Sequence, residues 1–138
     1  MSEDLKSDRQ RGVAAVEFAI VLPLLIFLFL GITEFGIAYY NKQVLTNASR
    51  EGARAGIVDG TEVSDIETIV INYANGRLIT FGEPIDPVLD PPPEFFDEYL
   101  KVNVRYEYSY LVLSTINWFG ADFGTKLNIG ASTTMRME

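Results

Sequence analysis

A chain of 138 residues has room for one modest domain once a membrane segment and its leader are set aside. Its net charge of −8 argues against nonspecific nucleic-acid binding, because no basic patch is available to neutralise phosphates. Cysteine and histidine are both absent, which removes disulfides, thiolate metal sites, cysteine nucleophiles, the commonest general base and every Ser/His/Asp arrangement.

The first twelve residues are polar, and Glu3, Asp4 and Asp8 are balanced by Lys6, Arg9 and Arg11. The surplus negative charge therefore lies downstream. Residues 11–30 then read RGVAAVEFAIVLPLLIFLFL. Over 13–32 every residue except Glu17 is apolar, small or the single Pro23. About 20 such residues are enough to cross a bilayer as a helix. A charge near the middle of such a span costs on the order of 2.5–3.5 kcal/mol, so an acid inside the run calls for a use or a route to water. Glu17 lies about one turn into the run, and snorkelling toward the headgroups is the plain alternative to a partner. Pro23 is expected to kink or locally loosen the helix, which membrane helices tolerate. Gly31 and Gly36 are too far apart for a GxxxG face.

Basic residues flank the run on its N-terminal side, and the next one after it is Lys42. That asymmetry predicts an N-terminus held in the cytoplasm. A secretory signal peptide fits poorly, since the run exceeds the usual 7–15 residue core and no small-residue cleavage site closes it.

The helical pattern persists beyond the run. Ile37, Tyr40 or Asn41, Val44, Ala48, Gly52 and Ala55 recur at helical spacing as one stripe. Lys42, Arg50, Glu51 and Arg54 fall mostly off it, as on a solvated face. Ala48, Gly52, Ala55 and Gly56 are small, so another element is expected to pack closely there. Gly60 is a reasonable stop. A second helix follows, with Thr61, Ser64 or Asp65 as candidate caps and Val63, Ile66, Ile69, Val70, Tyr73 and Ala74 on its apolar positions, ending around Asn75 and Gly76.

Residues 81–98 (FGEPIDPVLDPPPEFFDE) are predicted to be a loop of polyproline character and not a packed element. Glu83, Asp86, Asp90, Glu94, Asp97 and Glu98 make it acidic, but they lack the ligand spacing of a calcium loop, and a solvated acidic loop is the preferred reading. Residues 100–113 alternate, with Val102, Val104, Tyr106, Tyr108 and Tyr110 on one face and Lys101, Asn103, Arg105, Glu107 and Ser109 on the other. Residues 127–137 alternate likewise, with Leu127, Ile129, Ala131, Thr133 and Met135 on one side. The two strands are expected to pair antiparallel and lay their apolar faces on the long helix. Trp118, Phe119 and Phe123, between them, either fill core space, the preferred reading, or form an exposed contact patch.

The fold class is therefore α+β: a long membrane-spanning, then amphipathic helix, a second helix and a small antiparallel sheet. Gly12, four small or apolar residues, Glu17 and the aromatic Phe18, placed after a short basic leader, resemble the type IV prepilin processing site. Residues 31–56 (GITEFGIAYYNKQVLTNASREGARAG) resemble the helix of TadE-like proteins, the pseudopilins or minor pilins of the tight-adherence (Tad/Flp) pilus system. The ending at 127–138 (LNIGASTTMRME) is similar to the closing strand of that family. The likeness is close over 11–56, loose over 99–138 and weak between.

The resemblance implies a pilin-like fold, with a cytoplasmic leader at 1–12, an assembly helix at 13–36 and an exported domain at 37–138. It implies cleavage between Gly12 and Val13 by a prepilin peptidase, and an assembly role for Glu17 and Phe18 in which Glu17 meets the amino terminus of a neighbouring subunit. Glycine at the scissile position offers a peptidase unobstructed backbone. The new α-amino group on Val13 would lie one turn from Glu17. The partners implied are the inner-membrane assembly platform with its ATPase, a second pseudopilin, the major Flp pilin and membrane lipid, with no nucleic acid and no small-molecule substrate. The place implied is the inner membrane, with the exported domain periplasmic, or extracellular if the chain enters the filament. No catalytic, cofactor or metal residue is expected, and the chain is not expected to be an enzyme. The competing function is an uncleaved single-pass sensor or ligand-binding module, which leaves Glu17 unexplained.

Overall fold

The computed structural model describes the backbone of residues 2–58, 60–81, 85–111, 124 and 126–137, with side chains from residue 11 onward. The elements in chain order are α1 (Ser2–Gly56), α2 (Val63–Ala74), β1 (Glu94–Phe95), β2 (Tyr99–Ser109) and β3 (Lys126–Arg136). The chain divides into two compact units, one up to Thr33 and the other from Glu34 onward.

The first unit is helical throughout its described residues. Leu24 is 69% exposed and Phe29 70%, and no residue in the most apolar window of the helix is buried within the chain. A helix this apolar with no protein cover needs another apolar medium around it. Pro23 sits inside an unbroken helical run; its ring nitrogen has no hydrogen to donate to the preceding turn. The Thr33 hydroxyl donates to the Phe29 carbonyl at 2.9 Å, which satisfies it inside its own helix.

The second unit is α+β. Here the α1 stripe buries Ala38, Val44, Leu45, Ala48 and Ala53. Asn41, and not Tyr40, occupies its position in the stripe, and Ala53 is buried where Ala55 was expected, Ala55 being only partly covered. Gly52 and Gly56 let α2 and β2 approach the helix backbone. A Cβ on Gly52 would stand 2.5 Å from Val70 Cγ2, and one on Gly56 2.4 Å from Leu100 Cδ2. The close approach expected from the small residues is present.

After α1 ends, Gly60 takes φ +86°, a turn conformation that residues with a Cβ resist. The cap of α2 is Glu62, not one of the three residues expected. Asp65 contributes from the third helical position, where its carboxylate accepts the Glu62 N–H at 3.1 Å. Thr61 is diverted: its hydroxyl donates to the Ala55 carbonyl at 3.0 Å, closing the end of α1 instead. α2 buries Ile66, Val70 and Ala74 and ends at Asn75 as the periodicity predicts.

The sheet has the order β1-β2-β3. β2 and β3 are antiparallel in one unbroken register, from Tyr99 opposite Arg136 to Ser109 opposite Lys126. Leu100, Val102, Val104, Tyr106 and Tyr108 are buried, while Arg105 and Glu107 on the other face are exposed. The expected alternation holds, with β2 ending at Ser109 and not at 113. The proline-rich stretch departs from its predicted loop character. Glu94 and Phe95 pair with Lys101 and Leu100, Val88 bridges Arg105, and Pro87 and Pro93 are buried. Prolines tolerate this edge of the sheet because they have no ladder hydrogen to lose there. Trp118, Phe119 and Phe123 lie outside the described residues.

Candidate functional site

The residues singled out from the sequence lie together on α1. Val13 is 55% exposed and Phe18 62%, and a side chain at Gly12 would meet nothing within 4 Å. Val13 and Glu17 are four residues apart, hence stacked on one helix face. Glu17 is exposed, and among the described residues it has no hydrogen bond or ion pair. Glu17 therefore stands on an uncovered apolar helix face one turn from Val13, where a carboxylate either reaches water or meets a charge from outside the chain.

Three further polar residues of α1 behave differently; periodicity offered Asn41 only as the alternative to Tyr40 and did not single out Glu34 or Ser49. Glu34, Asn41 and Ser49 are 3%, 0% and 0% exposed. Each fastens a different part of the second unit to the helix. The Glu34 carboxylate accepts the Leu111 N–H just beyond β2. Asn41 Nδ2 donates to the Ile79 carbonyl at 2.7 Å, and the Ile79 N–H donates back to Asn41 Oδ1 at 2.9 Å. Ser49 Oγ and Thr133 Oγ1 are hydrogen-bonded at 2.6 Å, joining α1 to β3. The signal that could have found them is their position in line with Ala38, Val44, Ala48 and Gly52.

Three acids of the proline-rich stretch are spread along the sheet, and Glu83 lies outside the described residues. Asp90 pairs with Arg105 at 2.7 Å, Glu94 with Lys101 at 3.9 Å and Glu98 with Arg136 at 3.9 Å. These pairs are exposed and add little stability. Among the described residues no three acidic side chains gather into a metal cage. Inside the core, Tyr106 and Tyr108 bury their hydroxyls without a partner among the described residues. Burial, then the Glu34 charge and the neighbouring Tyr106 and Tyr110, push the Tyr108 phenol up to about 12.

Residues 12–54 match the family model of TadE-like proteins. Over this helix the chain is TadE-like. No match is found among curated proteins, and none among solved structures. The matched stretch opens on Gly12, takes in Val13, Glu17 and Phe18, and continues through Gly52, so the uncovered apolar helix and its packed continuation belong to one TadE-like segment. Such proteins belong to the Tad pilus system, and the apolar helix is long and apolar enough to cross a membrane.

Proposed function

We propose that the chain is a processed pseudopilin that contributes structurally, and not as an enzyme, to assembly of a Tad/Flp adhesive pilus. Its leader, 1–12, stays in the cytoplasm and is removed by a prepilin peptidase between Gly12 and Val13. Residues 13–36 anchor and assemble, and 37–138 form the exported domain, periplasmic or carried outward with the filament. The Glu17 carboxylate receives the Val13 amino group of an adjoining subunit, with Phe18 packed beside it. Two charges that are each costly in lipid attract strongly at short range, which offsets part of their desolvation and fixes register more than it adds stability. The assembly platform, a second pseudopilin and the major pilin are the partners.

The observation that carries this reading is the family match beginning on Gly12, joined to an unpaired Glu17 on a helix with no cover of its own. N-terminal sequencing and intact mass of the chain recovered from membranes test it. A mature protein starting at Val13 is expected. A functional chain that retains Met1 overturns it and returns the uncleaved sensor or binding module.

A further inference from the structure

The second unit carries an open groove of about 460 Å³ between α1 and the outer strand β3. Phe35 and Tyr39 line one side, Leu127 and Ile129 the other, and Lys42 stands among them. Phe35 is 65% exposed and Tyr39 66%, although Ala38 and Ile129 beneath them are buried. Among the described residues no carboxylate pairs with Lys42, in a chain whose net charge is −8. An apolar trough with a free ammonium group suits an amphiphile that carries an anionic group next to apolar chain.

Chain connectivity indicates where that amphiphile comes from. Phe35 is the third residue after Ile32, the end of the apolar run, and an extended chain advances at most about 3.6 Å per residue. Phe35 therefore lies at most about 11 Å from Ile32, and about 4.5 Å along the helix at about 1.5 Å per residue, inside an interfacial layer of roughly 5–7 Å on each side of the hydrocarbon. Phe35, Tyr39 and Tyr40, followed by Lys42, also have the composition of a membrane-interface belt, aromatic rings first and then a snorkelling cation.

We propose that this groove docks the second unit onto the leaflet it faces by taking a glycerophospholipid, with the upper acyl chain against Phe35, Tyr39, Leu127 and Ile129 and the phosphate at Lys42. The inference rests on the membrane anchor and not on processing at Gly12.

The full-length chain, reconstituted in phosphatidylethanolamine and phosphatidylglycerol vesicles doped with a phospholipid bearing a diazirine near its acyl ester, tests the docking. Adducts are mapped by mass spectrometry after illumination. Adducts on residues 127–130 are expected several-fold above those on the exposed face of α2 at Glu67 and Thr68. Lys42→Glu is expected to lower them several-fold while leaving adducts in 13–32 unchanged. Labelling of 13–32 and Phe35 with none on 127–130 overturns the docking and leaves the anchor standing, as does labelling of 127–130 that Lys42→Glu does not alter. In a parallel sample treated with a bifunctional amine-reactive reagent, copy-to-copy cross-links through Lys42, with no lipid adducts on 127–130, assign the groove to a second chain and overturn the proposal. Absence of adducts from 13–32 overturns the anchor and the docking together.

Discussion

Gly52 and Val70 meet so closely that a methyl group added to Gly52 would stand 2.5 Å from Val70 Cγ2. Val70 is β-branched and stiff, and it is wholly buried, so it has little room to yield. Alanine normally gains up to about 1 kcal/mol over glycine in a helix, but overpacking a core costs about 1–3 kcal/mol. The clash wins, and Gly52→Ala is expected to destabilise the second unit by about 1–2 kcal/mol. Gly36→Ala is the control, because a Cβ there meets nothing within 4 Å. It should be neutral or slightly stabilising. Thermal unfolding of the detergent-solubilised chain checks both, and equal shifts would contradict the packing argument.

Asn41 is the most exacting of the polar contacts on α1, since it answers both the N–H and the C=O of Ile79. Asn41→Ala leaves two backbone groups without their partners, at about 1–3 kcal/mol for each one that stays buried. Asn41→Ala is expected to destabilise more than Thr46→Ala, whose hydroxyl donates to a carbonyl of its own helix on an exposed side. Hydrogen exchange is the sharper readout: the Ile79 amide should lose its protection first in Asn41→Ala, ahead of the β2 amides.

The two faces of β2 should respond oppositely to charge. Val104 is 1% exposed, and an unpaired carboxylate there costs about 3–5 kcal/mol, a large part of the stability of a small domain. Val104→Asp is expected to unfold the second unit. Glu107 is exposed and its ammonium partner Lys126 lies at 2.7 Å, so Glu107→Lys removes a surface pair and sets like charges together, for about 1 kcal/mol or less. Circular dichroism and denaturant midpoints separate the two outcomes.

The legible parts of this fold were those in which the side chain and its neighbour share a periodicity. The β2 alternation from Val102 to Tyr108 and the 3–4 spacing of Ile66, Val70 and Ala74 gave element type and buried face directly. The small residues at Gly52 and Gly56 announced close packing without saying against what. Strand β1 escaped notice because prolines surround it, and a two-residue strand has no period to read. Glu34 and Ser49 escaped, and Asn41 entered only as the alternative to Tyr40, because a stripe counted on apolar residues treats polar ones as solvated; their partners are backbone groups or, for Ser49, a threonine 84 residues away. The cap at Glu62 was hidden because the better cap, Thr61, is occupied by the Ala55 carbonyl. Among the described residues Gly12, Val13, Glu17 and Phe18 have no hydrogen-bond or ion-pair partner outside their own helix, so their grouping came from the family likeness and not from any internal contact.

Tyr108 ties stability to pH at the alkaline end. Its folded-state value of about 12 lies above the ordinary 10.0, so the folded protein holds this proton over a range in which the unfolded chain releases it. Its contribution is whole below pH 10 and is lost as pH rises toward 12, reaching about 2–3 kcal/mol. Tyr108→Phe should flatten that slope. It should also leave the neutral-pH stability unchanged or raised, because the hydroxyl removed is buried without a partner among the described residues. Urea unfolding at pH 8, 10 and 11.5 with both proteins, at about these values, tests the sign.

Glu17 presents the opposite situation, a charge whose removal should help the isolated chain and harm the assembly. Deleting an acid from a membrane helix relieves up to about 2.5–3.5 kcal/mol of insertion cost, so Glu17→Ala should insert at least as well as the parent. Under the proposed function it should also be cut at Gly12, because the glycine, the basic leader and the apolar run are untouched. What it lacks is the carboxylate that an adjoining subunit's amino terminus would meet. The expected phenotype is a processed protein that accumulates in the membrane fraction and is lost from sheared pili. Blotting of both fractions reads it, and Glu17→Asp distinguishes charge from reach: partial recovery would assign the role to the carboxylate itself. A Glu17→Ala chain that assembles normally would leave the acid with no role beyond snorkelling.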